Sequence, residues 1–143
     1  MNLRNYTSGV QASRSIENIE KLLVDLGCLN ISKFYEEKET AGIFFQLDIN
    51  KQPVSFKLPC KVELIYKRML KGKSRFTETQ RINIRKQAAR TAWKTLFELV
   101  QIQCDLIMLE QSDVIEAFLP YAFDGERTLR EKFDITNMKL LEQ

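Results

Sequence analysis

The chain has 143 residues, enough for one domain with a core, and 44% hydrophobic residues including nine Phe make it globular rather than disordered. Its net charge of +3 hides a step: residues 61–94 carry eleven Lys or Arg against two acids, residues 1–60 balance, and residues 95–143 carry four bases against ten acids. The absence of histidine removes the commonest general base and metal ligand, and the isolated Cys28, Cys60 and Cys104 argue against a zinc site or a disulfide framework. With no apolar run near the ~20 residues of a bilayer span and no signal-like start, the expectation is a soluble cytoplasmic protein, not an enzyme, with no cofactor, metal or membrane partner.

The first segment, Met1 to Ala12, contains Gly9 and small polar residues and reads as an arm. Ser13 or Ser15 is placed to cap a first helix, in which Ile16, Ile19, Leu22, Leu23 and Leu26 recur at helical spacing and Gly27 ends the run. Glu17 and Glu20 lie early, where the helix dipole favours acids.

From Ile31 the period becomes two. A strand at Ile31–Glu37 is followed by a loop, Glu37 to Gly42, and a second strand with Ile43, Phe45, Leu47 and Ile49 on one face. Asn50-Lys51-Gln52-Pro53 reads as a hairpin turn into a third strand with Val54, Phe56 and Leu58, and Pro59 ends the sheet. Phe44 falls on the polar face of its strand beside Lys57, where it either stacks on a base or partner side chain or packs under the arm. The loop acids Glu36, Glu37 and Glu39 read as solvated.

A short helix over Cys60–Lys71 comes next, with Val62, Ile65 and Met69 inward and Gly72 at its end. Thr77 and Gln80 form a capping box for a long helix, Glu78 to Glu110. Ile82, Ala89, Trp93, Leu96, Val100 and Ile107 share its apolar face, with Trp93 a core anchor; Asn83, Gln87, Arg90, Lys94, Gln101 and Asp105 line the other. At 1.5 Å per residue it would be about 50 Å long, so it bends, breaks or protrudes, and a protruding half favours a homodimer. Ser112 starts a further helix, interrupted near Pro120; Asp124-Gly125 is a turn; Thr128 and Glu131 box a last short helix. The expected fold is therefore one α+β domain over 1–143, with an arm (1–12), a helix plus three-stranded antiparallel meander (13–59) and a helical part (60–143). The meander packs against helices, and the long helix is followed by short ones.

The candidate site is the basic block. Lys67, Arg68, Lys71, Lys73 and Arg75 crowd one helix end and the connection after it, and Arg81, Arg85, Lys86, Arg90 and Lys94 occupy the first half of the long helix. A helix prefers the opposite order, acids first and bases last, so this arrangement costs a few tenths of a kcal/mol per charge by the dipole rule. An anion from a partner would relieve that cost. The expectation is a nucleic-acid-binding accessory protein that recognises backbone or shape; the alternatives are an acidic protein surface, the acidic third of a second copy, or an ordinary solvated face.

The order helix, three-stranded meander, helix resembles that of double-stranded-RNA-binding domains, and Arg85-Lys86-Gln87-Ala88 with Arg90, Ala92 and Leu96 is similar to the basic, alanine-rich start of their second helix. The chain departs from them in the inserted helix Cys60–Lys71 and in lacking their His-bearing loop. Asn5-Tyr6-Thr7-Ser8, Gln87-Ala88-Ala89-Arg90-Thr91-Ala92-Trp93 and Phe118-Leu119-Pro120-Tyr121 are similar to segments of small bacteriophage and mobile-element proteins. That likeness implies a prokaryotic or phage cytoplasm and no activity.

Overall fold

The computed structural model describes residues 3–141; Met1 and Asn2 of the expected arm, and Glu142 and Gln143, lie outside the described residues. In chain order come α1 (Ala12–Asp25), β1 (Asn30–Glu36), β2 (Glu39–Ile49), β3 (Gln52–Pro59), α2 (Val62–Leu70), α3 (Glu78–Met108), α4 (Val114–Phe118), a 3-10 turn (Leu119–Tyr121) and α5 (Leu129–Leu141). This is the expected α+β fold: an antiparallel meander, β1-β2-β3, with a long helix followed by short ones. Contacts group the chain into two units, Met1–Leu22 with Cys60–Ile102 and Leu23–Pro59 with Gln103–Gln143.

In the second unit, the odd residues Ile43, Phe45 and Leu47 of β2 are buried with Phe56 and Leu58 of β3. Phe45 stacks on Phe56 with centroids 5.1 Å apart, and Phe118 of α4 meets Phe45 edge-on at 5.4 Å. Aromatic pairs in such offset and edge-on geometry add about 0.5–1.5 kcal/mol each beyond the area they bury. Cys104 is buried too, and burial pushes its thiol up to about 11, so it acts as a small apolar side chain.

Both hairpins are tighter than the sequence suggests. The loop expected over Glu37–Gly42 is a two-residue turn, Glu37-Lys38, and the second turn is Asn50-Lys51; all four residues have positive φ, 49°, 69°, 53° and 64°. Such turns match the twist of paired strands. Their usual Asn-Gly or Asp-Gly marker is missing at Glu37-Lys38, which is why the first was legible only as a longer loop. Gln52 and Pro53 belong to β3, where Pro is tolerated because β3 lies at the edge of the sheet.

Local signals held at most helix ends. Gly27, at φ 102°, closes α1, with Cys28 N–H donating to Leu23 O at 3.0 Å. Both capping boxes form: Gln80 N–H donates to Thr77 Oγ1 at 3.1 Å and Thr77 N–H to Gln80 Oε1 at 2.9 Å, and Thr128 and Glu131 exchange the same pair at 3.0 and 3.2 Å. Two caps differ. The α1 helix already begins at Ala12, so Ser13 and Ser15 lie inside it, Ser15 fully buried. Asp113, not Ser112, caps α4 by accepting from Glu116 N–H at 2.8 Å, a stronger bond because the acceptor is charged.

Gly42 has a role the sequence did not reveal. The register slips between Phe34 and Tyr35, and a Cβ on Gly42 would overlap both the Phe34 ring and the Leu58 carbonyl oxygen. One of these is backbone and cannot swing away. Gly42→Ala is therefore expected to lower stability by about 1–3 kcal/mol, the usual cost of overpacking. Urea unfolding followed by circular dichroism measures it, and an unchanged midpoint would contradict the close approach.

Candidate nucleic-acid interface

All ten predicted site residues belong to the first unit. Its buried residues include Ile16, Ile19, Cys60, Val62, Ala88, Thr91, Ala92 and Val100, and Trp93 at 1% exposure is the core anchor its spacing predicted. Burial pushes the Cys60 thiol up to about 12. Helix α3 runs unbroken over 31 residues, about 46 Å at the standard rise.

The structure divides the ten cations into two groups. Lys67, Arg68, Lys71, Lys73, Arg75, Arg81 and Lys86 are exposed, on the last turns of α2, the connection after Gly72 (φ 91°), and the first turns of α3. None of these seven makes an ion pair among the described residues. The Lys73 ammonium sits over the Phe76 ring at 5.0 Å, on a residue that stays exposed where Lys94 is half-buried.

Arg85, Arg90 and Lys94 are half-buried and already engaged. Arg85 pairs with Glu63 and lies over the Tyr66 ring at 5.1 Å, tying α3 to α2. The Arg90 guanidinium donates twice to Gln87 Oε1, at 3.0 and 2.7 Å. Lys94 lies over Phe97 at 5.0 Å. Spacing put Lys86, Arg90 and Lys94 on one face, but it could not show which charges were spent.

Arg90 and Lys94 adjoin a feature that sequence reasoning missed. The face of α3 expected to meet solvent, around Gln87, holds the N-terminal arm. Gln87 Nε2 donates to Tyr6 O (3.2 Å) and Ser8 O (3.1 Å), and Thr91 Oγ1 donates to Asn5 O at 2.7 Å. Asn5 Nδ2 donates to Thr95 Oγ1 at 3.2 Å and also to Glu98, which pairs with Arg4. Gln87, Thr91, Thr95 and Glu98 recur every three or four residues, so one polar stripe holds the arm, the first two by its main chain and the last two by the Asn5 and Arg4 side chains. The available signal was a polar stripe on a helix that already had an apolar face.

Compared with protein-family models, curated proteins and solved structures, the chain matches none. No helix among the described residues is long and apolar enough to cross a membrane.

The arm has a predictable pH response. Hydrogen bonding from Asn5, then from Arg4 with its positive charge, and the charge of Lys94 hold the Glu98 carboxyl below its ordinary value. A carboxylate with a lowered pKa stabilises the docked state above its ordinary pKa and loses that contribution as pH falls through the lowered value. Amide exchange over residues 5–10 is expected to be slow at neutral pH and to gain relative to the rest of the chain in acid. Glu98→Gln should show the fast pattern already at neutral pH; equal protection in both proteins would show that the ion pair does not hold the arm.

Proposed function

We propose that the protein is a non-enzymatic nucleic-acid-binding accessory protein that grips phosphates with the cations of the α2–α3 connection. The observation that carries this reading is the group of seven exposed, unpaired cations between Lys67 and Lys86. Several of them precede or open α3, where their order opposes the helix dipole and a bound anion would offset it. Nothing in this group resembles a reader of base edges, so it supports backbone contact without sequence preference.

A specific observation favours a second reading, docking on an acidic protein surface. Leu64 is 62% exposed and, at i, i+3 and i+4, shares a face of α2 with Lys67 and Arg68; Ile82 beside Arg81 is 49% exposed. Phosphates have no use for that apolar surface, whereas a protein partner would bury it.

Fluorescence anisotropy with a labelled duplex and a labelled single strand, over a range of salt, tests the first reading. The logarithm of affinity should fall with the logarithm of salt, by about 0.9 per phosphate neutralised on a duplex and about 0.7 on a single strand. Replacing Lys71, Lys73 and Arg75 together by alanine should reduce the duplex slope by about 2 to 3. Absence of binding at low salt, or a triple variant that binds with an unchanged slope, overturns the nucleic-acid reading. Leu64→Ser should leave nucleic-acid affinity intact, and would weaken a protein complex.

A further inference from the structure

The second unit has a concave region of about 790 Å³ on the open face of its sheet, the face opposite Phe45 and Leu47. Across it runs a row of side chains from three neighbouring strands. Asn30 Nδ2 donates to Gln46 Oε1 at 2.9 Å, and Gln46 Nε2 donates to Ser55 Oγ at 3.0 Å. The pairing register places these three residues directly side by side. Next to the row stand the rings of Phe44 and Phe123, with centroids 5.3 Å apart.

The wall of this region is held in place. Phe123 N–H donates to Ser55 O at 2.9 Å, and Phe123 bridges to Thr128. Asp124 Oδ1 accepts from the Glu126 and Arg127 N–H groups, both at 2.9 Å, while Asp124 Oδ2 pairs with Lys132 at 2.6 Å. Gly125, at φ 104°, completes the turn. Lys57 Nζ lies 5.0 to 5.9 Å from the Phe34, Phe44 and Phe123 ring centres and binds the cluster together.

The row leaves hydrogen-bonding capacity unspent. Asn30 Oδ1, the second N–H of each amide and the Ser55 hydroxyl hydrogen have no partner among the described residues. A ligand that uses both features must be planar, to stack on phenyl rings, and must carry donors and acceptors along one edge. A nucleobase meets both requirements. An aliphatic group would leave the amides unmatched, and an extended peptide would pair with a strand edge rather than this face. We propose that the open face of the sheet binds an unpaired nucleobase, stacked against Phe44 and Phe123 and read along its edge by Asn30, Gln46 and Ser55. The site does not depend on the cationic surface, because a neutral nucleoside carries the base without the phosphate.

Amide-resolved NMR titration of the full chain tests this with three probes: uncharged nucleosides, their monophosphates and a short single-stranded oligonucleotide. Nucleosides should shift the amides of Gln46, Ser55 and Phe123. Phe123→Leu should weaken the response by about tenfold, within the range for losing one base stack, and Gln46→Ala by up to about tenfold, the loss of a hydrogen bond. Should Phe123→Leu unfold, Ser55→Ala supplies the same comparison with a smaller change. Tighter binding of the oligonucleotide assigns the site to unpaired strands; equal binding of monophosphates assigns it to free nucleotides. No shift at these amides with millimolar nucleoside and with oligonucleotide, or shifts that survive the variants, overturns the proposal. An oligonucleotide that perturbs only residues 67–86 leaves the cationic surface standing and removes this site; nucleoside shifts with no oligonucleotide response at 67–86 do the reverse.

Discussion

The register of β2 governs the second unit, because this strand is paired on both sides and its two faces have opposite duties. Ile43, Phe45 and Leu47 are buried, while Phe44 and Gln46 belong to the open face. A slip of one residue would exchange the two sets, exposing Ile43, Phe45 and Leu47 and burying the Gln46 amide. Three features pin the register: two hairpins closed by two residues each, and Gly42, which admits the Phe34 ring where no side chain fits. The polar row Asn30-Gln46-Ser55 exists only in this register. Strain accepted at four left-handed non-glycine residues is thus offset by the sheet's core, and the open face follows from it.

The first unit is organised by how α3 spends its polar groups. A helix with one apolar face ordinarily leaves the other to water. Here Gln87, Thr91, Thr95 and Glu98 bond the arm, and Arg90 is tied to Gln87. Arg85, Arg90 and Lys94, at the end of the basic block, are therefore built into the fold, and the rest of the block faces outward. A uniform stripe of cations from Lys67 to Lys94 becomes a shorter surface, Lys67 to Lys86, that excludes Arg85.

What the sequence revealed was mostly local chemistry. Both capping boxes, the Gly27 stop, the Asp124-Gly125 turn and the burial of Trp93 could be read because each depends on residues within a few positions. The misreadings share a cause too. Ser13, Ser15 and Ser112 are good caps in isolation, and only their neighbours decide which residue takes the role. Phe44 was open between a stacking role and burial under the arm. Its ring packs with those of Phe34 and Phe123, the latter a partner 79 residues further on that no periodicity indicates. The docked arm was hidden for the same reason, since Gln87 and Thr91 bond main-chain carbonyls that every sequence has.

The charge step acquires a physical interpretation once each acid's work is known. Residues 95–143 are acidic, which suggested a reservoir waiting for the basic block of the same or another copy. Five of those acids are committed within their own units. Glu98 holds Arg4 and Asn5, Asp113 caps α4, Asp124 holds the turn beside Phe123, Glu131 closes the last capping box, and Asp134 pairs with Arg130. Backbone hydrogen bonds lead the causes that hold the Asp124 and Glu131 carboxyls below their ordinary values, the signature of acids satisfied by their own turn and helix end. The seven exposed cations between Lys67 and Lys86, Arg85 not among them, make no ion pair among the described residues. Half of the acids of residues 95–143 are thus spent on structure while those seven cations are unpaired among the described residues, an asymmetry that weakens the case for mutual neutralisation.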